Sequence, residues 1–407
     1  MNLKRISLVL AICLAVAPAL GLSPEGRGAA MGGAYSPLAK GAEGMLYNPA
    51  TLGSVTLAGA LLGGGVDVSN NALSLMDMVN LATGSGSGFT KSLDKISEKG
   101  KWEGHIDGAA GGAVDVMGVG VAAYQRIMAS GKDVSRETVE LVLSKDHVIQ
   151  KQDDGIYEMT GTSELSSILE ISAGYGGELP VPLPIGKLSG GAAVKLYKGT
   201  AYALMESDSV LDTVNPPASN KTTGSNMYAN ATSGQGFGFD VGVHAELAVV
   251  DASLAVKNIG SKVKWDAKGQ VAGLNKTTLK MDSTETSGTI DQTIPMVVLL
   301  GVGGTIPVVG TAASAELEMA GKGQSKPKDG DAIETSKAQT IVRLGLEQGL
   351  LGVLSLRAGY ASGGSDSDGQ ITVGLGLGAL IARLDLAVGY GLDQKSGSFG
   401  ASGSVSF

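Results

Sequence analysis

Residues 371–391 read ITVGLGLGALIARLDLAVGYG. Apolar side chains occupy every second position from Ile371 to Leu377 and again from Leu384 to Tyr390, and the positions between them hold small, polar or charged residues. Successive side chains of a β-strand point to opposite faces, so each segment has one apolar face and one polar or small-residue face. In a soluble β-sandwich the apolar face packs against a second sheet, whereas in a transmembrane barrel it faces lipid.

The start of the chain favours the second arrangement. Lys4 and Arg5 precede an apolar run over 6–20, which ends with the small residues 17–19. This pattern is typical of a secretory signal peptide, and the run is too short for a spanning helix. We therefore predict a signal peptide over residues 1–21, with an uncleaved signal-anchor as the alternative.

No later segment offers a long unbroken apolar run. The longest candidate, 295–310, is interrupted by glycines, a threonine and a proline. Without a spanning helix, a chain crosses a bilayer only as a closed barrel, because only closure gives every backbone group a hydrogen-bond partner. The expected fold is therefore all-β, a transmembrane antiparallel β-barrel that occupies residues 55–407.

Strand-like segments recur throughout this region. We predict about 14 of them, an even number as in bacterial outer-membrane barrels. The connections alternate between long and tight, which suits external loops on one side and periplasmic turns on the other. The long connections are expected at 70–103, 131–162, 207–234, 266–291 and 322–336. The predicted strands lie near 55–69, 104–116, 118–130, 163–176, 187–206, 235–248, 249–265, 292–306, 310–321, 337–348, 351–361, 370–380, 381–392 and 397–407.

Charged residues within these strands are expected to face the lumen. A charge on the lipid face costs ~2–4 kcal/mol at the middle of the bilayer. Positive and negative charges are both present, which is more typical of a salt-bridged interior than of a selectivity ring. A selectivity ring is the alternative. The predicted lumen-facing charged residues are Glu170, Lys195, Asp240, Glu246, Lys257, Glu316, Arg343, Arg357, Arg383 and Asp385.

The first long connection is expected to contain a small helical insert within 70–103. Its segments 72–81 and 89–99 carry apolar residues at helical spacing. Such helices are expected to cap the barrel mouth as a packed lid, with contact to a partner as the alternative.

Composition excludes several classes of protein. The net charge of -8 argues against a nucleic-acid partner. The single cysteine, Cys13, lies in the predicted signal peptide, where Leu10 to Cys13 faintly resembles a lipoprotein cleavage box and leaves lipidation open. His105, His147 and His244 lie far apart with no carboxylate at metal-ligand spacing. No nucleophile elbow or P-loop appears, so we predict no enzyme and no cofactor.

The segment 22–54 precedes the first strand and is too short for a separate domain. We predict that it is an N-terminal hatch, or plug, folded into the lumen. Residues 27–34 read RGAAMGGA and residues 46–50 read LYNPA. These motifs resemble the start of the FadL-type outer-membrane barrels. LAVKNIG at 254–260 is similar to a recurring strand of that family, and LRAGY at 356–360 is similar to its C-terminal end.

The resemblance implies a fourteen-stranded barrel in the outer membrane of a Gram-negative bacterium, with the hatch inside it. The helical insert and modest length look closest to the TraF-like conjugal transfer set within this family. No ligand-binding residues carry over. Phe407 would be the membrane-assembly signal through which the C-terminal strand meets the barrel-assembly machinery. The hatch motif would comprise Arg27, Met31, Gly32, Gly33, Asn48, Pro49 and Ala50.

Two functions agree with these observations. The first is transport of small molecules, hydrophobic ones included, across the outer membrane. The second is a scaffold in an envelope machine for secretion or conjugal transfer, as in PorV-like and TraF-like proteins. The aromatic content of 4% is low for a barrel and departs from the hydrocarbon transporters, which weakens the expectation of an apolar ligand pocket. Expected partners are outer-membrane lipid and either a small hydrophobic ligand or an envelope complex. A soluble periplasmic β protein is the third alternative.

Overall fold

The computed structural model describes residues 25–54, 58–82, 85–143, 156–181, 186–212, 223–274, 281–306, 308–328, 330–350, 352–362, 369–393 and 395–406. The predicted signal peptide and Phe407 lie outside the described residues.

The described residues contain an 18-stranded antiparallel sheet. Its strands are β1 Ala58–Asn70, β2 Trp102–Val116, β3 Val119–Val134, β4 Ile156–Glu178, β5 Lys187–Asp212, β6 Thr223–Ala231, β7 Gly234–Leu247, β8 Val250–Leu274, β9 Met281–Thr293, β10 Val297–Ile306, β11 Thr311–Ala320, β12 Gly323–Pro327, β13 Ile333–Ser336, β14 Gln339–Leu350, β15 Leu354–Ser362, β16 Gly369–Ala379, β17 Ala382–Gly391 and β18 Gly397–Ser406.

Most of these strands close into a ring. Strands β1 to β5 follow one another and are continued by β7, β8, β10, β11 and β14 to β18. The ring closes where β18 pairs with β1, from Gly59 opposite Ser406 to Val68 opposite Gly397. Closure removes the unpaired edges that an open sheet would have. The prediction of an antiparallel barrel of about 14 strands is confirmed.

The ring turns its apolar residues outward. On β17, Leu384, Leu386 and Val388 are each more than half exposed, whereas Asp385 and Ala387 between them are buried. The interior therefore holds the charged and small residues, and the exterior carries a continuous apolar belt. A belt of this extent is stable only against an apolar medium, because each Å² that leaves water gains ~25 cal/mol.

Four strands that the sequence did not predict extend the sheet beyond the ring. Strands β6, β9, β12 and β13 lie in the segments 207–234, 266–291 and 322–336, which were expected to be loops. They continue outward from the long strands β5 and β8, to which β6 and β9 pair. The sequence of β9, MDSTETSGTIDQT, is polar apart from Met281 and Ile290, so it carries no alternation to detect.

Three helices lie at the end of the barrel that carries the long connections. The predicted insert contains α2 at Leu75–Ala82 and α3 at Gly86–Lys99, whereas α4 at Arg136–Leu143 was not predicted. None of the described helices is both long and apolar enough to cross a bilayer. The helices share one buried core with the adjacent ends of β1 and β3, which includes Val68, Leu73, Leu81, Phe89, Leu93, Ile96, Val134 and Val139.

The β12–β13 hairpin folds over the same mouth. Lys337, just before β14, forms an ion pair with Glu103 of β2 at 2.7 Å, although β2 and β14 lie almost opposite each other in the ring. Glu334 of β13 pairs with Lys132 of β3, also at 2.7 Å. Surface ion pairs contribute only ~0–1 kcal/mol each, so the apolar core beneath contributes more. This core contains Ile333 of the hairpin and the stacked rings of Tyr202 and Trp265, whose centroids are 4.9 Å apart.

A charge placed on the apolar belt is expected to destabilise the barrel. We predict that Leu386→Arg lowers the free energy of unfolding in lipid by ~2–4 kcal/mol, because Leu386 faces outward near the middle of β17. Reversible denaturant unfolding in vesicles measures this value, with Leu386→Met as the matched control. An unchanged midpoint for the arginine variant would contradict an outward orientation in hydrocarbon.

Candidate functional site

Residues 25–54 lie inside the barrel, and we call this segment the hatch. It contains the short helix α1 at Gly26–Ala30 and two 3₁₀ helices at Gly41–Met45 and Pro49–Ser54. Most of its residues are buried against the barrel wall. The hatch therefore fills the lumen near the short-turn end, where the chain enters β1.

Glycines on the inner wall make room for the hatch backbone. A Cβ at Gly359 would lie 2.1 Å from the backbone nitrogen of Gly32, and one at Gly374 would lie 2.3 Å from the Cβ of Ala30. Both separations are far inside van der Waals contact, so a larger residue at either wall position would displace the hatch. The hatch residues Gly32 and Gly33 themselves have φ of 68° and 81°, which favours glycine there.

Arg27 makes a two-bond contact between hatch and wall. Its guanidinium donates two hydrogen bonds of 2.8 Å to the carboxylate of Glu347 on β14, and a third of 2.6 Å to the hydroxyl of Tyr35. The same carboxylate accepts hydrogen bonds from Arg357 at 2.5 Å and from Arg383 at 3.0 Å. Paired charges that are largely shielded from water interact more strongly than exposed ones.

Asp385 completes this group, which we call the latch: Arg27, Glu347, Arg357, Arg383 and Asp385. Asp385 pairs with Arg357 at 2.7 Å and with Arg383 at 2.9 Å. The structure thus brings three predicted lumen charges together with a predicted hatch residue. Glu347 was not among the predicted lumen charges, although it shares the parity of Arg343, four positions earlier on β14.

Glu25 caps the first helix of the hatch. Its carboxylate accepts hydrogen bonds from the backbone N–H groups of Arg27 and Gly28, at 2.7 and 2.5 Å. The hydroxyl of Tyr47 donates a longer one of 3.3 Å. Burial, together with the nearby negative charge of Glu43, outweighs these bonds and raises the pKa of Glu25 from 4.5 to about 8.

Further hydrogen bonds attach the hatch around the circumference of the lumen. Each joins a backbone group of the hatch to a polar side chain on a wall strand, so the hatch can be released without breaking the strand ladder. The donor–acceptor pairs are Gly26 N–H to Ser402 at 2.8 Å, Thr372 to the carbonyl of Ala30 at 3.0 Å, Arg343 to the carbonyl of Gly32 at 3.0 Å, Ser36 N–H to Glu316 at 3.0 Å, and Ser314 and Lys257 to the carbonyls of Ala34 and Leu46.

Asn48 inserts its amide into the wall between β7 and β8. Its Nδ2 donates to the hydroxyl of Ser253 at 2.8 Å and to the carbonyl of Val243 at 3.0 Å, while its Oδ1 accepts from the N–H of Ala50 at 2.9 Å. A Cβ at Gly242 would lie 1.9 Å from Oδ1, so this wall position requires glycine. The side chain is completely buried, and each amide atom has a partner.

The remaining hatch-motif residues pack rather than bond through side chains. Met31 is buried beside Tyr35. The carbonyl of Pro49 lies so close to Gly191 on β5 that a Cβ there would be 2.3 Å from it. Ala50 is buried next to it.

A second charged cluster lies on the opposite wall. Lys195 pairs with Asp240 at 2.9 Å and with Glu170 at 3.2 Å. Arg126, which was not among the predicted lumen charges, bridges Glu170 and Asp107, each at 3.3 Å. Because Lys195 has both acidic partners and is almost fully buried, this cluster is a paired interior charge group rather than an open selectivity ring.

Predicted lumen charges outside these two clusters have different surroundings. Glu316 and Lys257 hold the hatch, and Arg343 pairs with Glu318 on β11 at 2.9 Å. Glu246 lies apart from them at the short-turn end, where it is only partly buried.

A cavity of about 310 Å³ lies between the hatch and the outer closure, by which we mean the helices α2 to α4 and the β12–β13 hairpin at the mouth. Hatch residues Leu46 and Tyr47 line one side, and Arg126, Lys257 and Tyr124 of the wall line the other. The Tyr124 hydroxyl is buried and has no hydrogen-bond partner among the described residues. A smaller cavity of about 160 Å³ lies further out beneath the hairpin and shares the lining residue Asp107. No group of three potential metal ligands occurs among the described residues.

Solved structures with this architecture exist. A mutant of the monoaromatic hydrocarbon channel TodX superposes with a TM-score of 0.59 at 15% identity, covering 96% of this chain and 100% of the other. A FadL homologue from Pseudomonas aeruginosa gives 0.56 at 12% identity, with coverage of 95% and 99%. The toluene transporter TbuX from Ralstonia pickettii gives 0.53 at 13% identity, with coverage of 95% and 98%.

This chain has the FadL-type barrel fold. At these identities the likeness establishes the fold alone, and it extends over nearly the whole of each chain. No family profile and no curated protein sequence matches the chain. Within the FadL-type fold, the narrower similarity to the TraF-like set stays a prediction.

Removing the Asn48 amide is expected to loosen the hatch. Asn48→Ala leaves the carbonyl of Val243 and the hydroxyl of Ser253 without their buried donor, at a cost of ~1–3 kcal/mol. We predict faster alkylation of a cysteine introduced at the buried position Ser36 in the Asn48→Ala variant. Asn71→Ala, which removes a similar amide at the opposite end of β1, is the control. Equal alkylation rates in the two variants would contradict the anchoring role.

Hatch attachment is also expected to depend on pH through Glu25. Its raised pKa means that the buried carboxyl prefers the proton, so its contribution is complete below about pH 4.5 and is lost as the pH rises to about 8. We predict that hydrogen exchange of hatch amides accelerates across this interval, after correction for intrinsic exchange. Glu25→Gln should flatten the dependence, and an unaltered profile in that variant would assign it to another group.

Proposed function

We propose that this protein is an outer-membrane channel of a Gram-negative bacterium that admits small, largely apolar molecules when the hatch moves. The main support is the arrangement of the lumen: a closed hatch, a cavity directly above it, and a second closure at the mouth. The hatch is held by side-chain hydrogen bonds and ion pairs and takes no part in the pairing of the described strands. A gate must be able to move without breaking the strand pairing of the barrel.

The size of the inner cavity agrees with a small cargo. An apolar protein cavity of ~150 Å³ binds benzene, so about 310 Å³ accommodates a single substituted aromatic ring. Structural neighbours are described as a monoaromatic hydrocarbon channel and a toluene transporter, which supports cargo of this class.

The lining of the cavity indicates which chemical class of cargo it can hold. Met45, Leu46 and Leu299 provide apolar surface on one part of the lining, whereas the rest is polar and largely charged. The charged lining residues are Asp67, Asp107, Arg126, Glu170, Lys195, Lys257, Glu316, Glu318 and Arg343. A molecule with an apolar body and one polar group would satisfy both surfaces, because buried polar groups without partners cost ~1–3 kcal/mol each. The comparisons give no support to the alternative role as a secretion or conjugal-transfer scaffold.

A disulfide between hatch and wall tests the gating role. The Cβ of Ala42 lies 3.9 Å from the position of a Cβ at Gly59 on β1, within the range of ~3.5–4.5 Å that a disulfide requires. We predict that the double variant Ala42→Cys/Gly59→Cys, when oxidised in proteoliposomes, blocks uptake of radiolabelled toluene or benzyl alcohol. Reduction should restore uptake, and each single variant serves as a control.

Two results would contradict the proposal in different ways. Full uptake with quantitative disulfide formation would show that hatch movement is not needed for passage. Absence of uptake in both the reduced variant and the native protein would contradict a transport function. Heat-modifiable migration of the protein from outer-membrane fractions tests the outer-membrane location independently.

A further inference from the structure

The short turns of the barrel carry large exposed apolar side chains. Turns that face water are normally built from glycine, proline, asparagine, aspartate and serine. Here Val308 is 95% exposed and Met117 is 71% exposed, each in a tight turn between ring strands. Every described short turn has at least one such residue. We call this set the rim: Met117, Leu179, Val181, Val249, Val308, Val309, Val353, Leu380 and Ile381.

Carbonyl groups of the turns accept hydrogen bonds from neighbouring strands. The N–H of Gly378 donates to the carbonyl of Val353 at 2.7 Å, and the N–H of Ser406 donates to that of Ile381 at 3.0 Å. Satisfied backbone groups are needed where water is scarce, since an unpaired group costs several kcal/mol there. The longest of these connections reads LPVPLPI over 179–185, and its three prolines have no N–H to satisfy.

The outward apolar face of β17 continues into the rim. From Leu384 on β17 to Leu392 just after it, the outward apolar residues span roughly 20 Å along the barrel axis, at ~3.3 Å per residue and a tilt of ~40°. Starting instead from Ile381 in the turn, the span becomes roughly 28 Å, so the ~25 Å band of membrane barrels extends down to the level of the turns. The belt therefore begins at the turns.

An exposed aromatic ring marks the same level. Tyr175 of β4 is 64% exposed and lies opposite Val119, the first residue of β3 after the Met117 turn. Tyrosine rings on membrane barrels concentrate at the headgroup level. The boundary between hydrocarbon and headgroups accordingly lies at the height of the turns.

We infer that the rim is embedded in the headgroup–acyl boundary of the inner leaflet, so that phospholipid covers the turn side chains. The rim residues occur on turns all round the ring, as an annulus of lipid requires, whereas a protein partner would cover one side. They also continue the outward apolar face of the strands. This inference rests on the proposed membrane location and adds that the barrel has no water-exposed collar at this end.

Depth-dependent quenching tests the rim directly. On a Cys13→Ser background, single cysteines replace Val308 and Leu380 on the rim, Val373 in the middle of the belt and Ser97 on the exposed face of α3. Each folded, heat-modifiable variant is labelled with bimane in phosphatidylethanolamine–phosphatidylglycerol liposomes. Quenchers are iodide in the aqueous phase and lipids brominated near the headgroup or deep in the acyl chain.

We expect the rim labels to lose most of their emission to the shallow brominated lipid and almost none to iodide. The Val373 label should respond to the deep bromines, and the Ser97 label to iodide alone. Rim labels that respond to iodide like Ser97, while Val373 responds to lipid, would overturn this inference and leave the barrel in the membrane. Such a rim would be free to dock a protein. Lack of lipid quenching at Val373 as well would overturn the membrane location together with the inference.

Discussion

A polypeptide in hydrocarbon must give every backbone group a hydrogen-bond partner, and the rest of this structure depends on that constraint. It requires the ring to close, which happens between β1 and β18. Closure in turn creates two surfaces of opposite character, with Leu386 outside and Asp385 inside. The charges that cannot face lipid are collected in a narrow lumen, where they need partners.

The hatch supplies some of those partners. Glu347 sits between Arg357 and Arg383, and Arg27 of the hatch adds a third guanidinium to its carboxylate. The wall therefore holds the hatch with charges that the barrel must in any case bury. Small wall residues such as Gly359 and Gly374 let the two backbones approach closely, which explains why glycine is frequent in a chain whose strands would otherwise avoid it.

The sequence was sufficient to predict the strands whose outer face meets lipid. Alternation along β16 and β17 predicted the strands because one face has to be apolar. It failed for β9 and for the β12–β13 hairpin, where only isolated apolar side chains such as Ile290 and Ile333 enter the core and no period of two develops. Parity also predicted that Arg357 and Asp385 share the inner face. It did not predict that Glu347 links them to Arg27, because the contact between Arg27 and Glu347 joins positions 320 residues apart. Arg126 was missed although it alternates with outward residues of β3.

Strand β1 has an unusual position in the chain. The hatch ends at Ser54, just before it, and the outer helix α2 begins at Leu75, just after it. The hatch and the helical insert are thus joined to the two ends of one thirteen-residue strand. This strand carries Gly63, Gly64 and Gly65 at its centre and pairs with β18 where the ring closes. A force on the hatch or on the helical insert therefore acts on the same strand, at its opposite ends.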